Sequence, residues 1–153
     1  NYLAGFLLTR LLLSRLLESA PARIVNVSSL GQQDIDFGDV MLEKGYNGTR
    51  AYCQSKLAQI TQAAAMADAL KAKGITINAL HPATFMNTKI VPNPISTIEE
   101  GVTATMHLIA DDDVADMTGQ YFNGLRHTRA EAQAYDKDAQ KKLLALSEKL
   151  VGA

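Results

Sequence analysis

Residues 23–31 read RIVNVSSLG, and residues 51–60 read AYCQSKLAQI. The first opens on a β-branched run, Ile24, Val25 and Val27, that suits a buried strand over Arg23–Ser28. The second lies in a long alanine-rich helix, from Thr49 to about Lys73, closed by Gly74 as a C-terminal cap. A second apolar strand follows, ITINAL at 75–80. Strand, helix, strand in that order is the repeating unit of a parallel sheet.

Working outward, residues 1–19 predict a helix. Leu3, Phe6, Leu7, Thr9, Leu11, Leu13, Leu16 and Leu17 cover more than half its circumference, so most of it is expected to be buried. Pro21 ends it. Residues 31–48, punctuated by Gly31, Gly38, Gly45 and Gly48, read as an irregular surface insertion. HPATFMNTKIVPNP (81–94) holds Pro82, Pro92 and Pro94 and predicts no regular structure. Thr97 and Glu100 fit the capping box of a helix running to about Ala110. DDDVADMTG (111–119) is a turn region, QYFNG (120–124) a short last strand, and Tyr135–Leu150 an amphipathic helix with Leu143, Leu144, Leu146 and Leu150 apolar. The alternation defines an α/β single domain over 1–153: a doubly wound parallel sheet with flanking helices. Such sheets bind ligands at the carboxyl ends of their strands, here after NVSSLG, ALHPATFMNT and QYFNG.

Composition narrows the function classes. The chain has 153 residues, 47% hydrophobic and 20% charged, with net charge −1. It lacks the clustered Lys/Arg excess that nucleic acid requires. Cys53 is the single cysteine, which excludes an internal disulfide and a multi-thiolate metal site and leans to a cytoplasmic location. LAGFLLTRLLLSRLL is broken by Arg10 and Arg15 and falls short of the roughly 20 apolar residues that span a bilayer. It also lacks the basic start and cleavage site of a signal peptide. The first residue is Asn, so the chain reads as processed or as a fragment of a longer one.

Tyr52 and Lys56 stand one helical turn apart on one face. A tyrosine titrates near ~10 and is a poor acid–base group at neutral pH, but a fixed cation beside it favours the phenolate. Ser29, at a strand exit, can hold a carbonyl or hydroxyl oxygen within reach of the phenol. Together they form a proton-transfer set: Tyr52 as acid or base, Lys56 as its tuner, Ser29 as the substrate anchor. A YxxxK pair by itself is ordinary surface decoration; NVSS before it and HPAT after it make it informative.

NVSS, YxxSK and NALHPAT in that order resemble the C-terminal part of a short-chain dehydrogenase/reductase, in its retinol-dehydrogenase-like branch. DVMLEKGYNGTRAYCQSKLA, with Asp39, Glu43, Lys44 and Tyr46, resembles that branch's insertion, and NYLAGFLLT resembles its NHLGHFLLT helix. The tail from Gln120 resembles bacterial members, so the likeness covers nearly the whole chain. It implies a Rossmann-like sheet and an oxidoreductase that interconverts an alcohol with a ketone or aldehyde through NADP or NAD, with NADP slightly favoured from family habit. Tyr52 would be general acid in reduction and base in oxidation. Lys56 would hold the nicotinamide ribose. Ser29, rather than Ser28, would polarise the substrate oxygen. Asn1 falls at the family's fourth catalytic position, where a backbone carbonyl holds a water linking the lysine to solvent. Pro82 to Thr88, including Ala83, Phe85, Asn87 and Thr88, would wall the nicotinamide, and residues 85 to about 112 would supply a substrate lid. The substrate would be a small hydrophobic alcohol or carbonyl compound.

Three departures stand out. Ala83 replaces the glycine of the usual HPG. Asn87 takes the place of a threonine or serine, with Thr88 one position later. The glycine-rich loop TGxxxGxG and the NNAG strand are absent, which the resemblance places before Asn1. The chain therefore reads as the catalytic and substrate-binding part of a longer enzyme. The rival reading is a truncated, cofactor-less module acting by protein–protein interaction through its apolar helices. Helices 1–19 and 49–73 are also usual subunit contacts in the family, which leaves a homo-oligomer open.

Other residues read more quietly. Cys53 joins a small-residue stripe with Leu57, Ile60, Ala64 and Ala67. His81 suits structural hydrogen bonding. His107 and His127 have no metal-ligand company in the sequence, and Asp111, Asp112 and Asp113 read as a solvated turn. Arg126, His127 and Arg129 follow the last strand and read as surface.

Overall fold

A computed structural model describes residues 1–152. The regular elements are α1 (Leu3–Glu18), β1 (Ala22–Val27), α2 (Gly48–Lys71), β2 (Ile75–His81), α3 (Ile98–Ala110), β3 (Tyr121–Asn123), β4 (Arg126–Thr128) and α4 (Lys137–Val151), with single 3-10 turns at Asp112–Val114 and Ala132–Tyr135. One sheet carries the strands in the order β1-β2-β3-β4. β1 runs parallel to β2, with Val25 opposite Asn78 and Val27 opposite Leu80. β3 joins β2 in parallel, with Leu80 opposite Phe122. β4 turns back antiparallel, with His127 opposite Phe122.

Alternation along the strands builds two cores. Ile75, Ile77, Ala79 and Tyr121 face α2, where Leu57, Ile60, Ala63, Ala67 and Leu70 meet them. Val25, Leu80 and Phe122 face the other way, onto Ala104 and Leu108 of α3 and Val114. Helices thus cover both faces of a Rossmann-like sheet, and β2, between them, is buried along its whole length.

The helix ends follow from local chemistry. The Asn47 side chain accepts the Arg50 N–H and opens α2. Gly74, at φ +74°, turns the chain out of α2 into β2. Thr97 and Glu100 form the full capping box of α3. Arg23 donates to the carbonyls of Leu108 and Asp111 at the far end of that helix. The Asp136 side chain accepts the Ala139 N–H and starts α4.

Four expectations change. α1 is not mostly buried: within it Phe6 and Thr9 are, while Leu8, Leu11, Leu12 and Leu17 are exposed, Leu11 by 68%. One face of α1 rests on β1 and α4, and no described element covers the other. β1 is half-buried rather than fully buried, because it is the edge strand of the sheet. The 31–48 segment is irregular but anchored. Ile35 packs with Tyr2, Phe6, Ala58 and Leu143, and the Gln133 side chain pairs with both backbone groups of Ile35. β4 was not anticipated: Arg126 to Thr128 pair with β3, with Arg126 and His127 exposed at the surface as the sequence suggests. None of the described helices is long and apolar enough to cross a membrane.

Candidate active site

The three parallel strands end together, at Val27, His81 and Asn123. α2 passes beside the end of β1 and brings Tyr52 and Lys56 there. Lys56 Nζ donates to the Val27 carbonyl at 2.9 Å and lies 5.6 Å from the centre of the Tyr52 ring. Burial lowers the Lys56 pKa from the ordinary lysine range. Tyr52 is 42% exposed, so its side chain is not sealed in the core.

Ser29 is buried and fixed from three directions. Its Oγ accepts the Gly31 N–H at 3.1 Å. Its carbonyl accepts from Gln32 Nε2 at 3.0 Å and from the Tyr121 hydroxyl at 2.9 Å. Because the hydroxyl oxygen already accepts from backbone, its own hydrogen is free to donate outward. Ser28 is used differently: its Oγ donates to the Lys56 carbonyl at 2.7 Å. The structure therefore leaves Ser29, not Ser28, as the free hydroxyl.

Gly31 shows how the groups converge. A Cβ built there would lie 3.5 Å from Tyr52 Cε1, 3.6 Å from Ser29 Oγ and 3.4 Å from Cys53 Sγ. The serine hydroxyl and the tyrosine ring thus border one small space that glycine keeps open. The sequence marked Gly31 only as punctuation, and it gave no sign of Tyr121 or Gln32 as supports of Ser29. Tyr121 comes from β3, 92 residues away. Burial pushes its pKa up to about 12, so it serves as a neutral hydrogen-bond donor.

The remaining predicted residues divide. Pro82 and Thr88 line an apolar hollow of about 390 Å³, bounded by Val27, Met86 and the α3 residues Ile98, Val102 and Met106. Gly101 of α3 is what lets Met86 lie against the helix, since a Cβ would occupy the place of its sulfur. Pro82 and Ala83 also border a second cavity, of about 470 Å³, between the ends of β2 and β3 and α3. Ala83 is not among the residues with positive φ, so its backbone does not call for the glycine it replaces. Phe85 and Asn87 line neither space. Phe85 is 62% exposed at φ +46°, a backbone that costs an aromatic residue roughly 1–2 kcal/mol. Its carbonyl accepts the Ile95 N–H, and Asn87 N–H donates to Ser96. Residues 85–96 thereby close into a compact loop. Within 85–112, the segment expected to supply a substrate lid, 98–110 is a helix packed on the sheet through Ala104 and Leu108. Asn1 is exposed, and its carbonyl accepts from Gln59 Nε2, three residues after Lys56 on α2, at 3.0 Å.

The histidines fall as follows. His81 is buried, bonded to Thr84 Oγ1 at 3.0 Å, and its pKa is lowered by burial. His127 pairs with Gln120 on the exposed hairpin. His107 does have company that the sequence reading did not foresee. It lies 2.9 Å from Asp111 and 3.8 Å from Asp113, with both carboxylates exposed at the end of α3. Arg129 stacks on Tyr135 at the surface.

The residues present suit one half of a nicotinamide nucleotide. Lys56 spends one of its three N–H groups on Val27 and has two left for ribose hydroxyls. The hollow beside Val27, Pro82 and Thr88 is apolar and open enough to take a flat ring. No glycine cluster in the sequence offers a phosphate cradle.

A model of the short chain dehydrogenase family matches residues 1–97, and the chain belongs to that family. Its place there is beside the retinol dehydrogenases. It is 36% identical to human retinol dehydrogenase 13 and 34% identical to human retinol dehydrogenase 11, in each case over 99% of this chain and 52% of the relative. The chain thus spans about half the length of the curated relatives it matches. Among solved structures, an uncharacterised protein from Mycobacterium paratuberculosis superposes with a TM-score of 0.79 at 25% identity, over all of this chain and 57% of that one. An NADPH-bound carbonyl reductase from chicken fatty liver superposes with a TM-score of 0.63 at 24% identity, over 85% and 54%.

Proposed function

We propose that this chain is the catalytic and substrate-binding part of an oxidoreductase that interconverts a hydrophobic alcohol with its aldehyde or ketone, using NADP or NAD. The observation that carries the reading is the space above Gly31, bordered by the free hydroxyl of Ser29 and the ring of Tyr52, with the Lys56 ammonium one turn along α2.

The bound nicotinamide supplies the chemistry the side chains lack, a hydride given or taken at its ring. The chain's own part is to hold the substrate oxygen and move one proton. In the reducing direction Ser29 Oγ–H donates to the carbonyl oxygen and draws charge onto it. Tyr52 then gives that oxygen its proton. The Lys56 cation stabilises the phenolate left behind, and in the oxidising direction the same phenolate takes the proton back. The hollow by Val27, Pro82 and Thr88 would receive the nicotinamide, while Lys56 holds the ribose. NADP is favoured over NAD on family habit. The exposed apolar side chains Phe85, Ile90 and Ile95 on the 85–96 loop support a hydrophobic substrate.

The test uses the full-length protein, NADPH, and a panel of hydrophobic aldehydes and ketones that includes retinal. Turnover is followed by loss of NADPH absorbance. Tyr52→Phe is expected to lower kcat by at least about 10²-fold while cofactor binding, read by NADPH fluorescence, stays. Full turnover by Tyr52→Phe would overturn the assignment. A second reading, a module acting through protein contacts, is favoured by the exposed leucines of α1. It gains if the full-length protein neither binds NADPH nor turns over any carbonyl.

A further inference from the structure

Between β1 and α2 the seam at the active end is polar, not apolar. Asn26 Nδ2 donates to the Gln59 carbonyl at 3.1 Å, and Ser28 Oγ donates to the Lys56 carbonyl at 2.7 Å. Between them, Lys56 Nζ donates back to Val27 O at 2.9 Å. Asn26, Val27 and Ser28, consecutive residues at the end of β1, are thus bonded to one turn of helix.

The spacing fits both elements. Residues 26 and 28 point to the same side of the strand, because side chains alternate with a period of two. The carbonyls of 56 and 59 lie on one face of the helix, three residues apart. Both are interior carbonyls of α2 and already belong to the helix ladder, so the strand side chains use their second lone pairs. These bonds are therefore not needed to satisfy orphaned groups. What they add is direction. Apolar side chains tolerate a helix sliding or rolling by a fraction of a residue; two donors aimed at two fixed carbonyls do not. The apolar grip of α2 begins in the same turn, with Leu57 and Ile60, and runs on through Ala63 and Ala67 against β2. It sets the distance of the helix from the sheet; at the Tyr52 end the polar seam ties the helix to β1, while Gln54, bonded to the Asp36 N–H and the Val40 carbonyl, ties it to the 31–48 segment.

We propose that Asn26 and Ser28 are positioning residues, which fix the height and rotation of α2 so that the Lys56 ammonium reaches the end of β1 and Tyr52 faces Ser29. The proposal rests on the proton-transfer reading of Tyr52 and Lys56. The lowered pKa of Lys56 agrees with a lysine held partly out of water by this seam.

The test uses the full-length protein and two neutral donor deletions, Ser28→Ala and Asn26→Leu, alone and together, with Ser28→Thr as the variant that keeps the hydroxyl. Two readouts are taken on samples shown by circular dichroism to be folded. The first needs no substrate: the rate at which an amine-acylating reagent modifies Lys56, counted by peptide mass against Lys73 and Lys149. The double variant is expected to label Lys56 roughly fivefold faster, the factor that one net hydrogen bond commands, and Ser28→Thr at the native rate. The second is the pH profile of kcat, whose limbs are expected to move in the deletions and return in Ser28→Thr. Lower thermal stability with unchanged Lys56 labelling and an unchanged pH profile would reduce the seam to packing and overturn the proposal. If one single variant does not fold, the other reports on its own bond. The two readings fail separately. A fully active Tyr52→Phe sinks the proton-transfer assignment, while Lys56 labelling still decides whether Asn26 and Ser28 hold the lysine.

Discussion

A single hydrogen atom at Gly31 separates the stability of this chain from its chemistry. An alanine methyl there would meet Cys53 Sγ, Tyr52 Cε1 and Ser29 Oγ at 3.4–3.6 Å, ordinary contact distances, and its φ is not in the left-handed region. Gly31→Ala should therefore fold, and loss of unfolded-state freedom should hold its stability level or raise it by about 0.4–1 kcal/mol. The same methyl takes up the space between the serine hydroxyl and the tyrosine ring. Turnover should fall by at least roughly tenfold, since small misplacements at a reacting centre are costly. Chemical denaturation beside steady-state kinetics checks both halves; a variant that is fully active, or one that unfolds, counts against this placement. Tyr52, Lys56 and Ser29 were legible because each sits in a short motif whose spacing is set by one helix or one strand. Gly31, Tyr121 and Gln32 were not. The bond from Tyr121, across 92 residues, and the approach of Gly31 to Tyr52 are tertiary contacts that no local pattern encodes, and Gln32, three residues from Ser29, bonds it through a loop geometry the sequence does not mark.

At the scale of the element, what could be read was the type of each segment, and what could not was its neighbour. The capping box of α3 was legible because both partners lie within four residues. The structure shows Glu100 N–H on Thr97 Oγ1 at 3.1 Å and Thr97 N–H on Glu100 Oε2 at 2.7 Å. Thr97→Ala removes the first bond and should cost about 1 kcal/mol, read as a lower urea midpoint with unchanged slope. Because Ser96 bridges to Met86, the loss should also loosen the 85–96 loop, seen as faster amide exchange there than in α2. The exposure of α1 was not legible. Its leucines span most of the helix, but burial depends on what stands opposite, and among the described residues only one face has a partner. β4 was missed for a similar reason. Arg-His-Thr has no strand pattern of its own and pairs because β3 offers it an edge.

Across the whole molecule, two buried phenols tie distant parts together and make stability depend on pH. Tyr2 at the head of α1 bonds Ser147 of α4 at 2.8 Å, and Tyr121 of β3 bonds the Ser29 carbonyl. Burial raises both pKa values from 10.0 to about 12. A raised folded pKa means that the folded state keeps its proton where the unfolded chain has lost it. The stabilisation is complete below the unfolded value near 10 and is lost as pH rises through the folded value near 12. Denaturation midpoints should therefore hold level up to about pH 10 and fall between 10 and 12. The two phenols should separate by variant. Tyr2→Phe keeps the ring in its core and removes the bond to α4, so its alkaline slope should be shallower, with the active end of the sheet undisturbed. Tyr121→Phe should flatten the slope by a similar amount and also release the Ser29 carbonyl, lowering turnover at neutral pH where Tyr2→Phe does not. If both variants keep the native slope, other groups govern alkaline unfolding and the two phenols do not carry this linkage.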